Sequence, residues 1–231
     1  MLQELRKDIK KLANPKKAKL LSGFFKTGKG EYGEGDIFFG IIVPEQRKLA
    51  KKYLHLSLEE ITPLLKSRIH EHRLTALFIL VSKFKKAGKK EREQIFDLYL
   101  SNTKNINNWD LVDLSAPNIV GCFLLDTKRT ILYRLARTGS VWERRLAVMA
   151  TFAFIKQGDY RDALEISKIL LDDDHDLIHK AVGWMLREIG NRSLPEEEIF
   201  LKRYFRQMPR TMLRYAIEKF PEEKRKQYLA R

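Results

Sequence analysis

The sequence predicts an all-α protein built as a stack of helix pairs, and three observations lead there. Apolar residues recur at helical spacing along nearly the whole chain, with no convincing alternating strand. Prolines 15, 44, 195, 209 and 221 each open a helix-like run, as proline does at a first turn. Similar segments also return at a regular interval of two helices and two turns.

In order, the punctuation and periodicity predict helices over 2–12, 15–26, 44–54, 57–66, 70–86, 89–102 and 108–124. They continue over 127–137, 141–157, 160–171, 175–189, 195–206, 209–219 and 221–229. Residues 28–40, glycine-rich and polar, form the one long loop. The segments HRLTALFIL, NWDLVDLSA, RRLAVMATF and HKAVGWMLR start at 72, 108, 144 and 179, spacings of 36, 36 and 35. Helix pairs at that period point to an α-solenoid of HEAT or armadillo type, an α-α superhelix.

This register places Arg73, Trp109, Arg145 and Lys180 in one column and Leu77, Asp113, Met149 and Trp184 one turn later. If the repeats stack, Trp109, Asp113, Arg145 and Trp184 become neighbours. Leu77 and Met149 look like core, so the row is expected to be partly covered.

Charge narrows the function. Lys and Arg number 45 against 30 acids, a formal +15 over 231 residues. Such self-repulsion is relieved by a polyanion, and nucleic acid is the first candidate. The cations are spread over the chain and not gathered on one amphipathic helix, which argues against a membrane surface. The longest apolar run, LAVMATFAFI at 146–155, is too short to span a bilayer. No apolar block follows Arg6, Lys7, Lys10 and Lys11, so no signal peptide is expected. Cys122 is the single cysteine, which excludes an internal disulfide and a multi-thiolate zinc site. A reducing compartment, the cytoplasm, is the expectation. Length leaves one or two domains open.

Trp109 and Asp113 lie four apart and share a helix face, with Asp110 turned away as a bystander. Read alone, Asp113 is an acid paired with a cation such as Arg145, or a carboxylate that steadies positive charge and orients a water. Trp109 and Trp184 are packing residues, or an aromatic box for a cationic ligand. Arg145 is a phosphate clamp or the partner of Asp113. GKGEYG at 28–33 fits a dinucleotide pattern but follows a helix and no strand, so the match reads as accidental. In DDDHDLIHK at 172–180, His175 and His179 have metal-ligand spacing. The acids there read as an N-terminal cap, and no metal is assigned. His70 and His72 diverge on their helix, and no nucleophile elbow is present.

Four stretches carry a family resemblance: FFKTGKGEYGEGDIFFGIIVPEQRKLAKKY at 24–53, NNWDLVD at 107–113, VWERRLAVMATF at 141–152, and HKAVGWMLREIG with MPRTMLRYAIEKF within 179–220. On these the chain resembles the AlkD-like alkylpurine DNA glycosylases, built from HEAT-like repeats. The resemblance implies one domain over 1–231. It carries the family's tryptophan and aspartate to Trp109 and Asp113, its second tryptophan to Trp184 and its arginine to Arg145. Ile42 stands where relatives commonly have a polar or basic residue.

The implied reaction is hydrolysis of the N-glycosidic bond of an N3- or N7-alkylated purine in double-stranded DNA. Alkylation makes the base a cationic leaving group, so a strong general acid is not required and no cofactor is implied. Asp113 would steady the oxocarbenium sugar and position a water, with Trp109 and Trp184 holding the deoxyribose. Arg145, Arg73, Lys180, Arg210 and Arg214 would grip the DNA backbone. No obligate protein partner is inferred, and a monomer is expected. A non-catalytic DNA- or RNA-binding solenoid and a protein-interaction scaffold are the competing readings. If the charge serves DNA binding, log affinity for duplex DNA falls linearly and steeply with log salt in a filter-binding or anisotropy titration. A flat response removes that reading.

Overall fold

The computed structural model describes residues 1–230, which form two compact units, one over 1–115 and one from 116 onward. Among the described residues the architecture is all-helical, with one isolated bridge between Ile37 and Ile69 and no strand.

The first unit contains α1 (Leu2–Lys11), α2 (Pro15–Phe24), α3 (Val43–Lys52), α4 (Leu58–Leu65), α5 (His70–Lys86), α6 (Lys89–Leu100) and α7 (Trp109–Asp113). Their starts follow the local chemistry. Asn14 caps α2 by accepting from the Lys17 amide, and Pro15 follows at the first helical position. Ser57 and Glu60 close a capping box on α4. The central element is α5, buried on every side from His70 to Val81 and packed against α1, α3, α4, α6 and α7. A helix buried all round lacks a polar face, so its His70, Glu71, His72 and Arg73 must find partners inside.

The second unit contains α8 (Thr130–Leu135), α9 (Val141–Ala150), α10 (Phe152–Ile155), α11 (Arg161–Ile169), α12 (Asp176–Gly190), α13 (Leu194–Tyr204), α14 (Arg210–Ala216) and α15 (Glu222–Leu229). Here α12 is central, with α9, α10, α11, α13 and α14 packed around it. From α8 to α13 each helix lies against the next in chain order, as in a helical-repeat stack, and α14 returns to pack on α12.

Two helices expected to be continuous are broken. The run over 108–124 becomes the five-residue α7, a turn, and a π-helical turn Pro117–Gly121. Pro117 cannot donate to the carbonyl of Asp113, and the Ser115 hydroxyl takes the Leu111 carbonyl. The run over 141–157 stops at Thr151, whose hydroxyl donates to the Val148 carbonyl at 2.6 Å.

The glycine before Trp184 has a packing reason. A Cβ on Gly183 would collide with the Met212 carbonyl and stand 2.5 Å from the Tyr215 Cβ, both on α14. Gly183 thus lets α12 approach α14 closely and sets the depth at which Trp184 leaves the helix. Gly183→Ala should lower unfolding free energy by about 2 kcal/mol through overpacking, read by chemical denaturation.

Candidate active site

The short helix α7 carries Trp109 and Asp113 on one face, both half-buried. Five residues are too few to hold a helix alone, so its position comes from its anchors. Asn108 accepts from the Trp109 amide at 2.9 Å. The Trp109 ring stacks on Phe25, centroids 5.0 Å apart and planes 13° apart, with Phe24 edge-on at 5.8 Å. Phe25 in turn stacks on Phe38, and both rings touch the His70 imidazole, Phe38 at 4.5 Å in a stacked arrangement.

Asp110 is no bystander. Its carboxylate lies 2.8 Å from His70 Nε2, and the other ring nitrogen, Nδ1, lies 3.1 Å from Asp36. Arg73 then donates to Asp36 at 2.6 Å and to the Ser67 carbonyl at 2.8 Å. This chain of four charge-bearing groups is almost wholly buried, each side chain at most 8% exposed. Burial opposes the Asp36 charge, but the His70 hydrogen bond and the Arg73 guanidinium hold the acid below its ordinary range. Burial likewise opposes a charged His70, yet Asp110 and Asp36 outweigh it and raise the imidazole above its usual value.

Asp36 and Phe38 reach this position because the loop before α3 is tied to α5. The Ile37 amide donates to the Arg68 carbonyl and the His70 amide to the Ile37 carbonyl. Glu71 accepts from three successive amides, Phe39, Gly40 and Ile41, at 2.8–3.2 Å. Gly40 has φ +83°, and a Cβ there would strike the start of α2, so only glycine fits.

Asp113 lies close enough to Tyr99 that its charge adds to burial in raising the phenol, whose hydroxyl contacts Ser115 at 2.8 Å. In the second unit, Trp184 donates its indole N–H to Glu188 at 3.2 Å and faces Phe152, centroids 6.5 Å apart. Burial opposes the Glu188 charge, while Arg192 and the indole N–H lower its pKa. Arg145 is buried and donates to the Leu177 carbonyl in the first turn of α12. Lys180 pairs with Asp176 at 2.6 Å on the surface, and Arg210 and Arg214 are exposed.

Arg73 corrects an expectation. It is 3% exposed and committed to Asp36 and Ser67, so its guanidinium supports the core and does not grip DNA. The loop at 28–33 uses its own acids: Glu31 and Glu34 accept from the Gly28 and Gly30 amides. His175 itself caps α12, accepting from the Leu177 amide, while His179 contacts the Asp173 carbonyl.

The family model of the DNA alkylation repair enzymes matches residues 5–220. The chain belongs to the DNA alkylation repair enzyme family. Its role therefore lies in DNA repair. A solved structure, a predicted DNA alkylation repair enzyme from Enterococcus faecalis, superposes with a TM-score of 0.72 at 18% identity. The match covers 91% of this chain and 97% of that one and shows a common fold. No curated protein matches the chain.

Sequence reasoning missed Asp36, His70, Asp110, Phe25 and Phe38. The available signal was a histidine and an aspartate at the starts of two helices 40 residues apart, His70 and Asp110, without any cue that both turn inward. Glu71→Gln should cost about 2 kcal/mol of stability, since an amide nitrogen would face backbone N–H donors. Thermal denaturation of the variant checks this.

Proposed function

We propose that the chain is an AlkD-like, monofunctional DNA glycosylase that hydrolyses the N-glycosidic bond of cationic N3- or N7-alkylated purines in duplex DNA. The observation that carries the reading is the pairing of a half-buried indole and a half-buried carboxylate, Trp109 and Asp113, on one anchored helix face.

The chemistry asks little of a general acid, because an alkylated purine leaves as a neutral base. What develops in the transition state is positive charge on the deoxyribose. Asp113 stabilises that charge and aligns the attacking water, and the π-face of Trp109 favours the cationic sugar over the neutral one; Trp184 offers an indole of the same chemistry in the second unit. Interactions that strengthen as charge develops accelerate the bond cleavage itself.

Lys180, Arg210 and Arg214 serve the DNA backbone. The Lys180–Asp176 pair is partly solvated and exchanges readily for a phosphate. Arg145 holds the start of the helix that bears Trp184. Ile42 is 45% exposed at the start of α3, so any DNA contact there is apolar. We read the two units as one glycosylase domain that acts as a monomer in the cytoplasm. Among the described residues no helix is long and apolar enough to cross a membrane.

Asp113→Asn should bind methylated duplex with near wild-type affinity and release base at least a hundredfold more slowly. Single-turnover release of free 3-methyladenine or 7-methylguanine measures this. Equal release by variant and wild type would overturn the assignment, and DNA binding without release by the wild type would leave a non-catalytic DNA-binding protein.

A further inference from the structure

We propose that His70 is a positioning residue for the reacting helix, holding α7 in place as an imidazolium clamped between Asp36 and Asp110. The inference rests on reading Trp109 and Asp113 as the reacting pair.

The geometry demands two protons on the ring. Carboxylate oxygens only accept, and they face both ring nitrogens, at 3.1 Å for Nδ1 and 2.8 Å for Nε2. A neutral imidazole offers one donor and would leave a lone pair against a carboxylate. Charge gives the same answer. Arg73, Asp36, His70 and Asp110 sum to zero with the ring protonated and to −1 without it, in a site almost closed to water.

The groups of either sign that face His70 are Asp36 from the loop before α3, Arg73 from its own helix and Asp110 from α7. Phe25 and Phe38 contribute only rings. A cavity of about 250 Å³ lined by Asp36, Ser67, Arg73 and Asn107 gives the cluster an opening for exchange of that proton.

Asp110 also accepts from the Leu111 amide, so the clamp seizes the first turn of α7 directly. Trp109 precedes it and shares the Phe25 ring with His70, and Asp113 follows one turn on. Loss of the proton frees one end of the clamp and lets both reacting side chains move.

The folded-state value of His70 is raised above 6.5. The contribution to stability and position is therefore complete below pH 6.5 and lost as pH rises through the folded value.

The test combines single-turnover base release with NMR of His70 and the Trp109 indole from pH 5 to 10. In the wild type both imidazole nitrogens carry protons at pH 6.5, the Trp109 indole resonance moves with the His70 titration, and the release rate falls roughly ten- to a hundredfold over the same range at constant DNA affinity. Asp110→Asn keeps a hydrogen-bonding partner but removes the charge, and should move the midpoints of ring titration and rate downward together. Asp110→Glu should restore them toward the wild type. A singly protonated ring at pH 6.5, a Trp109 resonance indifferent to it, or one rate profile shared by the wild type and Asp110→Asn would overturn the proposal. Absence of base release by the wild type, with the His70–Trp109 coupling intact, would overturn the glycosylase reading and leave the clamp standing.

Discussion

A histidine ring between two buried acids governs the first unit. Desolvating four charge-bearing groups is costly, and the attraction among them recovers that cost only when every donor meets an acceptor. The Arg73–Asp36–His70–Asp110 chain comes close to that condition through short contacts, two of them at 2.6 and 2.8 Å, with only the buried Arg73 Nε left without an acceptor. Such clusters add little net stability compared with apolar packing. Their effect is directional: each group has one place where its charge is tolerable. Here that place is shared by a loop, the central helix and α7.

The aromatic stack works on the same framework. Phe38 lies on the imidazole, Phe25 on Phe38, and Trp109 on Phe25, so the indole rests on three rings that trace back to the clamp. The stack covers one face of Trp109 and leaves the side chain half-buried. Glu71 completes the arrangement by gathering three loop amides, which keeps Asp36 and Phe38 from moving independently of α5.

The second unit solves its own positioning problem by packing. Gly183 lets α12 settle on α14, Arg145 ties α9 to the first turn of α12, and the Trp184 indole is directed by Glu188. The excess of positive charge sits elsewhere, on exposed lysines and arginines such as Arg210 and Arg214. Several acids are engaged internally, Asp36 by His70 and Arg73, Asp173 by Arg144 and Glu188 by Arg192. Each such pair takes one cation with its acid, so the net excess carried by the remaining groups stays that of the composition.

By itself the sequence determined the helical class, most helix starts, and Trp109 with Asp113 as a pair, because these follow from local rules of spacing, capping and proline geometry. It missed the break after Asp113, where Pro117 and a hydroxyl back-bond to Leu111 override an unbroken apolar pattern. The tertiary structure alone decided the fates of the charged residues. Arg73 looked like a DNA contact and became a core cation, while Asp110 looked idle and became an anchor. Helical periodicity tells which residues share a face. It does not tell which buried charge will meet which, since Asp36, His70 and Asp110 are 34 and 40 residues apart and are joined only when the loop and two helices pack.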